Sequence, residues 1–90
     1  MEFEWDRKKA EINIQKHGID FHEAATVFGD PLAITFSDPD HSTGEQRYIT
    51  FGLSRFNRLL VLSHTDRDGK VRIISARVMT RGEKKIYEEN

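Results

Sequence analysis

Arg47, His64, Arg67, Arg72, Ser75 and Arg77 all lie in the second half of a 90-residue chain, and together they could act on a phosphodiester. Cutting RNA without a metal needs a base for the 2′-hydroxyl, an acid for the leaving oxygen, and cations for the charge that develops on phosphate. Guanidinium suits the last task because its planar fork binds bidentately and keeps its charge. The imidazole of His64 belongs to the side-chain type that titrates near neutral pH and serves as acid or base. Glu45, two residues before Arg47, is the carboxylate alternative. Ser75 can donate a hydrogen bond to phosphate, but no Ser-His-Asp spacing makes it a nucleophile. Taken singly, Arg72 and Arg77 read as edge charges laying their stems over apolar neighbours. The set as a whole argues for a site.

Strands must position these side chains. Three candidates cover 48–53, 59–65 and 71–78, and the last two flank Asp66-Arg67-Asp68-Gly69, whose Asp-Gly pair is a strong hairpin signal. A type I′ turn there pairs Arg67 with Lys70, His64 with Ile73, Leu62 with Ser75 and Leu60 with Arg77. In that register His64, Ser75 and Arg77 share one face, while Arg72 lies on the other beside Thr65. A longer turn or a bulge would move one strand's set to the opposite face.

The first half supplies helices. Phe3-Glu4-Trp5 alternates like a short strand, and Asp6 can cap a helix running to about His17, with Gly18 as its left-handed stop. Asp20 and Glu23 form a capping-box variant ahead of Phe21, Ala24, Ala25 and Phe28, which recur at helical spacing until Gly29 and Pro31. Residues 32–36 read as a strand and 37–45 as a polar loop. Thr80-Arg81-Gly82-Glu83 opens a short C-terminal helix with Ile86 and Tyr87. The order β-α-α-β-β-β-β-α predicts an α+β fold, its helices on one face of an antiparallel sheet of four or more strands. Residues 1–90 read as one domain.

Composition narrows the function classes. Residues 1–45 carry four Lys/Arg against ten Asp/Glu, and residues 46–90 carry ten against five, so a basic half adjoins an acidic one. That division suits a polyanion on one surface and a basic partner on another. With no cysteine there is neither a disulfide framework nor a thiolate nucleophile, which fits a reducing cytoplasm. The acidic N-terminus reads as no signal peptide, and no stretch is long and apolar enough for a bilayer. Asp38-Pro-Asp-His-Ser42 invites a calcium reading, but Thr43 stands where the loop glycine belongs and Ile49 where the glutamate belongs, so a turn is the expectation. His17 and His22 straddle a helix boundary, which is no zinc spacing. We expect no metal and no cofactor.

The segments FEWDRKKAEINIQKHGIDFHEAATVF (3–28), EQRYITFG (45–52) and RIISARVMTRGEKKIYEE (72–89) together resemble the BrnT family of type II toxins. The resemblance spans nearly the whole chain and is carried by Phe3-x-Trp5-Asp6-x-x-Lys9, Asn13-x-x-Lys16-His17-Gly18 and Arg72-Ile-Ile-Ser-Ala-Arg77. It implies a RelE-like ribonuclease that inhibits translation in the cytoplasm. It also implies a BrnA-like ribbon-helix-helix antitoxin partner, with operator DNA reached only through that partner. Glu45, Arg47, Arg67, Arg72, Ser75 and Arg77 then belong to the active region, with Lys16 and His17 as RNA contacts. His64 stands where the family commonly has tyrosine. The contrasting expectation is a co-repressor subunit that grips a DNA-binding partner without catalysis. A third is a protein that holds RNA without cutting it.

Overall fold

The caps foreseen in the sequence start and stop the helices. The computed structural model describes all residues, Met1–Asn90. Asp6 accepts the Lys9 backbone N–H at 3.0 Å and opens α1 (Arg7–His17), which Gly18 ends at φ 70° with its N–H returned to the Ile14 carbonyl. Asp20 caps α2 (Phe21–Ala25), which tightens into a 3₁₀ turn at Thr26–Gly29 instead of continuing as α-helix to Phe28. Thr80 and Glu83 form a complete capping box at the start of α3 (Arg81–Glu89).

Five strands form one sheet: β1 (Phe3–Glu4), β2 (Ile34–Ser37), β3 (Arg47–Leu53), β4 (Leu59–Arg67) and β5 (Lys70–Val78), in the order β1-β5-β4-β3-β2. All pairings are antiparallel except that of β1, which runs parallel to β5. The foreseen turn is present, with Asp68 and Gly69 at φ 52° and 78° between Arg67 and Lys70. No helix is long and apolar enough to cross a membrane.

Each face of the sheet is covered differently. Ile19 of the α1–α2 link, Phe21 and Ala24 of α2 and Val27 of the 3₁₀ turn pack onto Leu60, Leu62, Ile73 and Ala76, forming the main core. Fully burying a Leu, Ile, Phe or Val side chain contributes about 1.5–3 kcal/mol, so this layer is the principal stabilising term. On the other face Tyr87 of α3 packs against a smaller cluster of Phe51, Val61 and Met79. The Tyr87 hydroxyl donates to Asp30 at 2.6 Å, and Asp30 also accepts the backbone N–H groups of Leu53 and Leu32. Burial pushes the Asp30 carboxyl up, but these three hydrogen bonds outweigh it and hold it below its ordinary value. The same bond, helped by burial, pushes the Tyr87 phenol up to about 12. Because α3 covers only one end, the other end of this face stays open.

Two polar clamps fix the helices against the sheet. Glu23 of α2 is 5% exposed and receives the Arg58 guanidinium and the Ser54 hydroxyl, tying α2 to the β3–β4 turn. Asn13 of α1 lies alongside β5 beyond the reach of β1: its amide accepts the Ala76 N–H at 3.1 Å and donates to the Ala76 carbonyl at 2.9 Å. One side chain thereby closes an edge that would otherwise leave buried backbone groups unpaired.

The β4–β5 register departs from a regular hairpin at one point. His64 pairs with Ile73 as expected, yet Ser63 pairs with Ser75, leaving Ile74 as an extra, unpaired residue. Leu62 therefore faces Ala76 and Leu60 faces Val78, in place of Ser75 and Arg77. This is a β-bulge, and it inverts the facing of β5 beyond it.

Close approach at Gly52 generates a stability prediction. A Cβ there would lie 2.5 Å from Val27 Cγ1 and 3.2 Å from Ala33 Cβ, so the 3₁₀ turn packs directly on β3. Gly52→Ala should destabilise the protein by about 1–3 kcal/mol, as overpacking does. Adding Val27→Ala should recover part of that loss in a double-mutant cycle followed by thermal unfolding; strictly additive losses would contradict the contact.

Candidate active site

The bulge determines what the open face presents. Beyond Ile74, Ser75 and Arg77 point away from the N-terminal helices, in line with Ser63 and Val61 of β4 and with Arg47 and Ile49 of β3. These side chains line a hollow of about 310 Å³ floored by Ile49, Val61 and Ile74. Arg47, Ser63, Ser75 and Arg77 supply its polar groups, and Asp38 and His41 form a wall from the 3₁₀ turn at Pro39–His41.

The two arginines in the hollow are held differently. Arg77 donates from Nη1 and Nη2 to the two Glu83 carboxylate oxygens at 2.7 and 2.8 Å, so the first turn of α3 fixes its fork. Its Nε–H and one Nη2 hydrogen remain unused by the protein. The Arg77 hydrogen bonds, against burial, drive the Glu83 carboxyl down to about 2, with the Thr80 backbone N–H and the Arg77 charge adding to the effect. Arg47 has no carboxylate partner, and its Nε is buried without any hydrogen bond. A buried N–H without an acceptor is unfavourable in itself, and it sets Arg47 apart from the arginines of this face that meet carboxylates.

The remaining residues singled out from the sequence are distributed around this hollow. The bulge puts Arg72 on the same face as Ser75 and Arg77, opposite Thr65, but its Nη1 pairs with Glu4 of β1 at 2.9 Å and it does not line the hollow. Arg67 and Glu45 pair with each other at 3.2 Å at the far end of β3 and β4, also outside it. Lys16 and His17, at the end of α1, line a second groove of about 170 Å³ with Lys9 and Asn13. Ile74 and Ser75 belong to both depressions, so they form one trough crossing the edge of β5.

His64 does not share a face with Ser75 and Arg77. It is 4% exposed on the helix side, stacked on Tyr48 and edge-on to Phe28, with Nε2 2.7 Å from the Thr50 hydroxyl. Burial pushes its imidazole below the ordinary value, and the Asp66 charge opposes this less strongly. A core residue takes the place of the expected surface acid or base because the bulge separates its face from that of Ser75. The histidine that does reach the hollow is His41, which the sequence reading assigned to an ordinary turn. The available signal was Asp38-x-x-His41, a spacing that brings the two side chains together in one 3₁₀ turn.

Nowhere do three or more His, Asp or Glu side chains gather closely enough to hold a metal ion. A larger hollow of about 530 Å³ beneath Phe3, Ala25 and Phe28 is apolar and lined by no titratable side chain.

Comparisons with known proteins agree with this architecture. A family model described as the ribonuclease toxin BrnT of type II toxin–antitoxin systems matches residues 5–83. The 1.1 Å crystal structure of the Brucella abortus ribonuclease toxin BrnT is similar in fold, with a TM-score of 0.69 and 21% identity over 90% of this chain and 99% of that one. No curated protein matches the sequence.

The Glu83–Arg77 pair has a pH signature. Its folded pKa of about 2 lies below the ordinary 4.5, so its stabilisation is present above pH 4.5 and is lost as pH falls towards 2. Glu83→Gln should lower stability at pH 7 by about 1–2 kcal/mol, a modest figure because Arg77 is partly exposed. The gap from the parent should close as pH is lowered from 5 to 2 in chemical denaturation; a pH-independent gap would contradict the pairing.

Proposed function

Because the chain belongs to the BrnT family of ribonuclease toxins of type II toxin–antitoxin systems, we propose that it cuts RNA in the open-face hollow, without a metal ion. Arg47 and Arg77 hold the scissile phosphate and meet the charge that develops on its non-bridging oxygens. Ser75 and Ser63 donate hydrogen bonds to the same group. The trough across the edge of β5 carries the neighbouring nucleotide to Lys16 and His17, which line its far end with Lys9. Arg67 and Arg72, each held by a carboxylate, add positive potential along the face without gripping the reacting phosphate. Glu45 serves this reading only by fixing Arg67.

The observation that carries the reading is the convergence of Arg47, unpaired, and Arg77, pre-oriented by Glu83, on one solvent-reachable hollow. Stiff strands hold both side chains, which is what precise placement of charge requires. The RNA cleavage inhibits translation in the cytoplasm. A BrnA-like ribbon-helix-helix antitoxin neutralises the toxin, and the pair reaches operator DNA only through that partner. The acidic first half of the chain offers such an antitoxin a surface of complementary charge.

Arg47→Ala and Arg77→Ala should each reduce RNA cleavage by about 10²–10³, as loss of one transition-state charge contact does. Either variant should relieve growth arrest on expression, and excess EDTA should leave the parent protein active. Near-parental cleavage by both variants, or abolition by EDTA, would remove the reading.

A further inference from the structure

The arginines of the hollow bind and neutralise, but a guanidinium keeps its proton and makes a poor base. The hollow holds one pair suited to proton transfer. We propose that His41 is the general base of RNA cleavage and Asp38 its positioning residue, an inference that rests on the hollow being where RNA is cut.

The geometry fixes the role of each ring nitrogen. His41 Nδ1 lies 2.9 Å from Asp38 Oδ2, and a carboxylate can only accept, so Nδ1 carries the proton. Nε2 is left as the nitrogen with a free lone pair, and it has no partner in the protein. Asp38 is 12% exposed while His41 is 68% exposed, so the carboxylate is sheltered and the imidazole is open to solvent. A carboxylate that orients an imidazole through Nδ1 and frees Nε2 is a recurrent arrangement for proton abstraction.

The turn that carries the pair is fastened to the residue that supplies the unpaired guanidinium. Asp38 N–H donates to the Arg47 carbonyl at 2.9 Å, and the Arg47 N–H donates to the Ser42 hydroxyl oxygen at 3.0 Å. The Ser42 hydroxyl in turn donates to the Asp38 carbonyl at 2.6 Å. Base and phosphate-binding arginine are thus held by one short hydrogen-bonded ring that joins their backbones through the Ser42 hydroxyl. The same turn places both Asp38 and His41 among the residues that line the hollow.

The step balances without a further reactant. Nε2 takes the proton of the ribose 2′-hydroxyl, and the O2′–P bond forms. The P–O5′ bond breaks, and the departing O5′ takes a proton from solvent water, to which the hollow is open. The imidazolium returns its proton to solvent. The products are a 2′,3′-cyclic phosphate and a 5′-hydroxyl, and nothing is oxidised or reduced.

The test uses the full chain and a 5′-labelled single-stranded RNA of mixed sequence. His41→Ala should lower kcat by at least about 100-fold, as loss of a general base does, with unchanged thermal unfolding and RNA binding. Added imidazole should restore part of the rate. Asp38→Asn, which disrupts the tautomer, should lower kcat while leaving KM in place. Cleavage by His41→Ala within about threefold of the parent overturns the assignment, as does a loss that imidazole does not recover, or a labelled product ending in a 3′-hydroxyl in place of the 2′,3′-cyclic phosphate. If Arg47→Ala and Arg77→Ala are inactive while His41→Ala still cuts, the base assignment alone fails. If all three still cut, the hollow itself is not the site.

Discussion

The unpaired Ile74 interrupts the alternation of β5, and the character of the open face follows from that change of phase. Side chains on a strand alternate between faces, so one inserted residue sends every later side chain to the other side. Without it, Ser75 and Arg77 would point into the layer formed by Phe21 and Val27, and Ala76 would be stranded outside. With it, Ile73 and Ala76 both enter the core while Arg72, Ser75 and Arg77 stay together on the opposite face. A bulge also bends its strand, and Asn13 receives Ala76 beyond the bend. The bulge, the asparagine clamp and the hollow are therefore one construction.

Charge on the open face is managed residue by residue. Arg67, Arg72 and Arg77 each meet a carboxylate, from Glu45, Glu4 and Glu83 respectively. Such pairs at partly exposed positions contribute little stability, but they fix long, flexible side chains in place. Arg47 is the exception, with its Nε buried and unbonded. Leaving one buried polar group unsatisfied is unfavourable, and no other arginine of this face carries that cost. The side of the sheet with the larger core provides rigidity, and the side with the smaller cluster, under α3, leaves room for a ligand.

Much of this fold was legible in the residues. Asp6, Asp20 and the Thr80–Glu83 box announced the three helices, and Asp68-Gly69 announced the hairpin, because caps and tight turns are local chemistry. The parallel pairing of β1 with β5 was not legible, since it joins the two ends of the chain. The bulge carries no glycine or proline to mark it, yet the sequence holds a trace: in Val71-Arg-Ile-Ile-Ser-Ala-Arg-Val78, strict alternation of apolar and polar residues is restored by skipping Ile74. Arg47, Ser75 and Arg77 were identifiable from residue type and do line the hollow. His64 was drawn to the wrong face by the regular register, and His41 was hidden in a polar loop whose turn geometry brings it to Asp38.

The central claim is that Arg47 and Arg77 grip one phosphate of an RNA chain on the open face. A crystal structure with a 2′-O-methyl RNA oligonucleotide, which lacks the attacking hydroxyl, tests it most directly. The account predicts a phosphate within hydrogen-bonding distance of both guanidinium groups, with the next nucleotide crossing Ser75 towards Lys16. RNA seated elsewhere, with the hollow between Arg47 and Arg77 holding only water, would contradict it.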